Sequence, residues 1–104
     1  MKYLTISTFK DAYYTLPETE KTRVMQASVH DVIGLKTKLG DKYRFFQTAG
    51  SRTSYSISEF DTYEEYIQSL NTQAFNMGVV DFVSIPVVEV DEKTLKAYAA
   101  AVSK

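Results

Sequence analysis

Apolar and polar residues alternate from Lys2 to Phe9, the first patterned segment of the chain. Leu4 and Ile6 fall on one side of this segment, and the other side carries Tyr3, Thr5, Ser7 and Phe9. A period of two in residues that favour extended structure predicts a β-strand. The next residues, Lys10 to Leu16, show no clear period and are predicted to form a loop, with a short turn as the alternative.

A long helix is predicted to follow this loop. It begins at Thr15 to Glu18 (T-L-P-E), which combines a Thr cap, a Pro in the first turn and a Glu three residues after the cap. At 100° per residue a single apolar stripe forms, consisting of Met25, Val29, Val32, Leu35 and Leu39. Gly40 is expected to end the helix.

Two strands joined as a hairpin are predicted next, over Lys42 to Thr48 and Ser54 to Phe60. The connection between them, Ala49 to Thr53, contains a glycine and has a length that suits a hairpin.

A second capped helix follows the hairpin, with Asp61 as the expected cap and Glu64 three residues later. Its buried stripe is expected to consist of Tyr63, Tyr66, Ile67, Leu70 and Ala74. The last strand is predicted over Asp81 to Val90. Because Pro86 cannot donate a backbone hydrogen bond, that strand is expected at an edge of the sheet or at a bulge.

The C-terminal segment predicts a final helix capped by Asp91. Its apolar stripe is Leu95, Tyr98, Ala99 and Val102. The run from Ala97 to Ala101 has high helix propensity but small side chains to bury. We therefore expect this helix to pack on the flank of the sheet or against a neighbouring subunit.

The order of elements predicts a single α+β domain over residues 1–104, a ferredoxin-like βαββαβ sandwich with an added C-terminal helix. Two helices can cover only one face of such a sheet. Large side chains nevertheless occur on both sides of several strands: Tyr3, Phe9, Tyr43, Phe45, Phe46, Tyr55, Ile57, Phe60 and Phe82. Exposed apolar patches beyond a few hundred Å² usually mark an interface, so we expect a homodimer formed through the sheet.

The composition limits the binding partners and the cellular location that we expect for the protein. The 12 basic and 13 acidic residues give a net charge of −1, which offers no electrostatic basis for binding nucleic acid or an anionic membrane. The chain has no Cys and one His, which argues against disulfides, a Cys nucleophile and a transition-metal site, and fits a cytoplasmic protein. The N-terminus is too polar for a signal peptide, and Val79 to Val90 is too interrupted to span a bilayer. No phosphate loop or zinc motif occurs, so no cofactor is expected.

Tyr55 to Glu59 (Y-S-I-S-E), the helix after it and Val79 to Val87 (V-V-D-F-V-S-I-P-V) carry a resemblance to a known group of proteins. In these segments the chain resembles the dimeric α+β barrel superfamily, and within it a short family of unknown function that ends in a pattern like L-L-D-F-x-V-x-P-V. The resemblance implies a homodimer whose two sheets face each other and enclose a cavity. It implies no activity, because the superfamily includes monooxygenases, isomerases, haem-degrading enzymes and binding proteins. The chain lacks a His on its first strand and an obvious haem-ligand set.

Two side chains are candidates for acid–base chemistry. Glu59 lies in phase with Tyr55 and Ile57, and a partly buried carboxylate there could act as a general base. The alternative is a strand-end residue that is exposed to water or forms an ion pair with Arg44 or Arg52. His30, the one His, lies on the polar side of its helix, where it is either a solvated side chain or a group at the mouth of a pocket.

The residues that we expect to line a ligand cavity are Tyr3, Thr5, Tyr43, Arg44, Tyr55 and Ile57. A shift of one residue in strand phase exchanges every cavity residue for a core residue, so the sequence leaves the face of each strand open. The main hypothesis is a homodimer that binds a small, largely apolar or aromatic molecule. One alternative is a cofactor-independent isomerase or monooxygenase with Glu59 or His30 as base, and another is a structural dimer without ligand.

Overall fold

The computed structural model describes residues 1–50 and 52–103, which form four strands and five α-helices. In chain order they are β1 (Lys2–Phe9), α1 (Asp11–Tyr14), α2 (Glu18–Leu39), β2 (Tyr43–Gln47), β3 (Thr53–Glu59), α3 (Tyr63–Ser69), α4 (Gln73–Asn76), β4 (Val80–Val87) and α5 (Glu92–Val102). A single 3₁₀ turn, Gly40–Lys42, joins α2 to β2. The chain is thus an α+β protein, as its pattern predicts.

The four strands form one sheet in the order β2-β3-β1-β4, with every neighbouring pair antiparallel. This arrangement is compatible with a ferredoxin-like fold. Pro86 lies in β4, an edge strand that pairs with β1 alone, which confirms its expected position. The predicted turn over Ala49 to Thr53 includes Ser51, which lies outside the described residues.

Strand alternation divides the sheet into two faces. Tyr3, Thr5, Ser7 and Phe9 of β1 point towards α2 and the α3–α4 segment, as do Ser54, Ser56 and Ser58 of β3. The opposite face, called here the open face, carries Arg44, Phe46, Tyr55, Ile57, Glu59, Lys2, Leu4, Ile6, Val83, Ile85 and Val87. The helices that cover the sheet, α2, α3 and α4, lie on the first face.

Two separate clusters hold the helices to the sheet. One joins Tyr3 of β1 to Phe60 and Tyr66, with Leu35, Leu39 and Leu70 packed around them. The other joins Tyr13, Val24 and Val79, with Phe9, Leu16, Met77 and Val80 around them. Because Tyr3 and Phe9 stand at opposite ends of β1, the two clusters lie at the two ends of the sandwich and leave its middle without a shared core.

Helix α2 differs from its prediction in its start and in its packing. It begins at Glu18 after Pro17, and no side chain caps it, so the Thr15 cap is wrong. Its buried residues are Val24 and Ala27, whereas Met25 and Val29 of the predicted stripe are exposed. Met25, Val29 and Val32 border the unfilled middle of the sandwich, whereas Leu35 and Leu39, further along the stripe, pack against the Tyr3 cluster. The segment Lys10 to Leu16 contains the short helix α1 rather than only a loop.

The second predicted helix is divided into α3 and α4, with a break after Leu70. Thr62, and not Asp61, caps α3 by accepting a hydrogen bond from the Glu65 backbone N–H at 3.1 Å. Tyr66 and Ala74 of the predicted stripe are buried, but Tyr63 is 61% exposed. Tyr63 and Ile67 are exposed although both precede the break, so only part of the predicted stripe faces the sheet.

Helix α5 begins as predicted, with Asp91 Oδ1 accepting from the Thr94 backbone N–H at 2.8 Å. None of its residues is buried, and Leu95, Tyr98 and Val102 are exposed. The radius of gyration is 17.0 Å, against about 13 Å for a compact domain of this length. The expectation that α5 packs on the flank of the sheet is therefore wrong within the described chain, and packing on a neighbouring subunit stays a prediction. Among the described helices, none is long and apolar enough to cross a bilayer.

Candidate functional site

The unfilled middle of the sandwich is a cavity of about 260 Å³ between the sheet and the helices. Small-molecule sites are commonly about 300–1,000 Å³, so this cavity lies just below that range and suits a correspondingly small occupant. Its position follows from the fold, because the aromatic clusters at the two ends of β1 hold the helices away from the centre of the sheet.

The floor of the cavity is a group of small hydroxyl side chains, Thr5, Ser7, Ser54, Ser56 and Ser58, called here the hydroxyl floor. Strand register places Thr5 opposite Ser56, and Ser7 opposite Ser54. Thr5 Oγ1 lies 3.0 Å from Ser84 Oγ on the neighbouring strand. Ser and Thr side chains are too short to reach the helix layer, so they leave space and turn hydrogen-bonding groups towards it.

The roof of the cavity is mainly apolar. Met25, Val29 and Val32 of α2 line it from one side, and Phe75 of α4 lines it from the other. Phe75 is held in place by stacking on Phe82 of β4, with ring centroids 4.1 Å apart. An occupant would therefore meet apolar groups on one side and hydroxyls on the other, which is the usual composition of a small-molecule site.

Tyr43, the first residue of β2, forms part of the cavity wall and is buried. Burial raises the pKa of Tyr43 to about 12; an interaction with the Ser56 side chain opposes the rise, and the negative charge of Asp31 adds to it. Tyr43 is therefore a neutral phenol at physiological pH, able to donate or accept a hydrogen bond but unable to serve there as a base.

Asp31 of α2 is the carboxylate of the cavity lining, with 17% of its side chain exposed. Its Oδ2 accepts a hydrogen bond from the Ala74 backbone N–H at 3.1 Å, which ties α2 to the first turn of α4. Its Oδ1 lies 4.0 Å from His30 Nδ1, beyond hydrogen-bonding distance. One oxygen thus has a structural role, and the other remains available as an acceptor.

Arg52 is the cation of the described lining and stands before β3. Its Nη2 donates to Asp11 Oδ1 at 2.8 Å, and its guanidinium lies 5.3 Å from the centre of the Tyr14 ring. Asp11 thus compensates the positive charge of Arg52, and the Tyr14 ring lies against its guanidinium group.

The six predicted ligand-binding residues fall on both sides of the sheet. Tyr3, Thr5 and Tyr43 line the cavity. Arg44, Tyr55 and Ile57 belong instead to the open face: Arg44 pairs in register with Ile57, and its guanidinium lies 5.2 Å from the centre of the Phe46 ring. The structure brings each set of three together on its own face and separates the two sets by the thickness of the sheet.

Neither candidate base lines the cavity. Glu59 lies at the end of β3 on the open face, paired in register with Lys2. His30 projects from α2 with 77% of its side chain exposed. Among residues 1–50 and 52–103 no three His, Asp or Glu side chains group closely enough to hold a metal ion.

Thr5 of the hydroxyl floor is among the residues predicted by name to line the cavity, whereas its four serines and Asp31 are not. Serine at every second position of β3 was a readable signal, because a strand with Ser54, Ser56 and Ser58 on one face cannot fill a core there. Asp31 had no comparable signal, since it lies between His30 and Val32 at the border of the α2 stripe. Its role depends on the position of α4, which is distant in sequence.

No protein-family model and no curated protein sequence matches the chain.

Proposed function

We propose that this protein binds a small, largely apolar or aromatic molecule in the cavity between its sheet and its helices. The observation that carries the proposal is the hydroxyl floor, together with the apolar roof above it. A chain that needed only stability would fill this position with larger apolar groups, because each unfilled volume forfeits packing energy.

We further propose that the chain is a ferredoxin-like protomer that pairs through its open face as a dimeric α+β barrel. Strand order β2-β3-β1-β4 supports the protomer fold, and the resemblance of Val79 to Val87 supports the assembly. Phe46, Tyr55, Val83 and Ile85 are all exposed on this face. A contiguous apolar surface of this kind usually marks a protein interface. The absence of Cys supports a cytoplasmic location for such a dimer.

Native mass spectrometry of freshly purified protein tests both parts. A dimer that carries extra mass, lost on denaturation, is the expected result and supplies the mass of the ligand. A monomer at micromolar concentration contradicts the assembly. A dimer at bare mass that also takes up no compound from a fragment library contradicts the binding function.

Two neighbouring substitutions locate the ligand. Ser56→Leu fills the cavity from its floor, whereas Ile57→Leu changes the adjacent side chain on the open face and conserves its volume. We expect Ser56→Leu to lose the bound molecule and keep its thermal stability, and Ile57→Leu to retain both. Equal ligand occupancy in the two variants would place the ligand outside this cavity.

A further inference from the structure

The cavity has an uncompensated negative charge at Asp31. Among residues 1–50 and 52–103, no Lys or Arg nitrogen lies within 4.0 Å of this carboxylate, and the exposed His30 lies 4.0 Å from its Oδ1. The cation of the lining, Arg52, is already paired with Asp11. The interior therefore carries a net preference for a positive or hydrogen-bond-donating group.

Asp31 is fixed as well as charged. The hydrogen bond from the Ala74 backbone N–H to Oδ2 fixes the orientation of the carboxylate, and most of the side chain is shielded from water. Because the carboxylate is already fixed, it loses little conformational entropy when it accepts a hydrogen bond from a ligand. Its available Oδ1 is therefore a better acceptor than a mobile surface carboxylate.

Two hydroxyls of the cavity lining have already used their own protons. Ser28 Oγ donates to the Val24 carbonyl at 2.9 Å, and Ser69 Oγ donates to the Tyr66 carbonyl. What these two groups can offer to an occupant is oxygen lone pairs. These two lining hydroxyls are thus arranged to accept hydrogen bonds from an occupant rather than to donate them.

We propose that the ligand is a small amine, with an apolar or aromatic body under the α2 and α4 roof and a protonated nitrogen that donates to Asp31 Oδ1. This inference rests on the proposed function and adds the chemical class of the ligand. A carboxylate-bearing ligand is disfavoured at this position, because it would bring a second negative charge beside Asp31 in a partly dehydrated cavity.

Three probes of similar shape test the proposal: 2-phenylethylamine, 2-phenylethanol and phenylacetate. Each is titrated into the native protein at neutral pH, with amide chemical shifts of the hydroxyl floor and of Ala74 followed by NMR. We expect the amine to bind most tightly, the alcohol about tenfold more weakly, and the acid most weakly. Added salt should weaken the binding of the amine and leave the affinity for the alcohol unchanged.

Asp31→Asn is the matched variant, because the amide oxygen can still accept from the Ala74 N–H while the charge is removed. We expect about a tenfold loss of amine affinity and no change for the alcohol. His30→Gln, at the neighbouring exposed position, should leave both affinities unchanged.

The outcomes separate this inference from the proposed function. If the alcohol or the acid binds as tightly as the amine, or if Asp31→Asn binds the amine as the native protein does, the amine assignment is overturned and the binding function stands. If none of the three probes shifts a cavity resonance, the amine assignment is overturned, and the mass spectrometry with the fragment library decides the binding function separately. The comparison of probes on the native protein does not depend on the folding of any variant.

Discussion

The ring of Tyr3 lies flat against the ring of Tyr66, with centroids 3.5 Å apart and planes 2° from parallel. This contact joins the central strand β1 to α3 and closes one end of the cavity. The contact lies at the end of the sheet and not at its middle. It therefore holds α3 on the sheet although the domain has no continuous core.

Removal of this stacking should destabilise the protein strongly. Tyr66→Ala is expected to lower the free energy of unfolding by about 3 kcal/mol, the usual cost of deleting a buried aromatic side chain. The matched control is Tyr63→Ala on the same helix, where the ring is mostly exposed and the expected loss is below about 1 kcal/mol. Urea denaturation measures both values, and equal losses would contradict the role given to the Tyr3–Tyr66 contact.

A charge on the open face should weaken the proposed dimer. Val83→Lys puts an ammonium group opposite Ile6 in the middle of that face, where pairing of two sheets would strip it of water. We expect the dissociation constant to rise at least about tenfold, as measured by sedimentation. Val88→Lys is the control, since Val88 follows β4 and is 86% exposed. A dimer equally insensitive to both changes would pair through another surface.

The cap of α5 should make that helix sensitive to acid. The hydrogen bond from the Thr94 backbone N–H, with a further one from its side chain, holds the pKa of Asp91 below its usual value. The stabilisation is therefore present above the ordinary Asp range and is lost as pH falls through the lowered pKa. Carbon chemical shifts of residues 92–102 should report fraying of α5 in this acid range. Asp91→Asn, which still caps but does not ionise in this range, should remove the pH dependence.

Tyr43 should make the fold sensitive to base. Because burial raises its pKa to about 12, the folded state holds the phenol proton more tightly than the unfolded chain, where a tyrosine ionises near pH 10. The contribution of Tyr43 is thus complete below about pH 10 and is lost as pH rises towards 12. The urea midpoint should fall across this interval, and fall less in Tyr43→Phe. A parallel decline in both proteins would assign the effect to other groups.

Local chemistry allowed much of the fold to be predicted. The alternation of β1 gave its bounds from Lys2 to Phe9, Pro86 indicated an edge strand, and Asp91 indicated the start of α5. Each of these features depends on neighbouring residues in the chain: the pleat of a strand, a missing N–H, or a side chain that reaches three residues ahead.

The parts that were missed depend on distant residues. The α2 stripe predicted burial of Met25 and Val29, but burial also needs a partner, and the partner there is a floor of small hydroxyls. The division of the ligand-lining residues between two faces has the same origin. Hydrophobic periodicity indicates that a strand has two sides, whereas the position of the helices decides which side is covered.

The strand order has a consequence for folding during synthesis on the ribosome. β1 leaves the ribosome before the other three strands yet occupies the interior of the sheet, where it pairs with β3 on one side and β4 on the other. Thr5 meets its partner Ser84 only after 79 further residues have been made. Throughout most of translation the nascent β1 therefore exposes two unpaired edges, the condition in which strands add to other chains. We therefore expect a chaperone to contact residues 2–9 early in synthesis and to prevent this pairing. Crosslinking of stalled nascent chains would detect the contact.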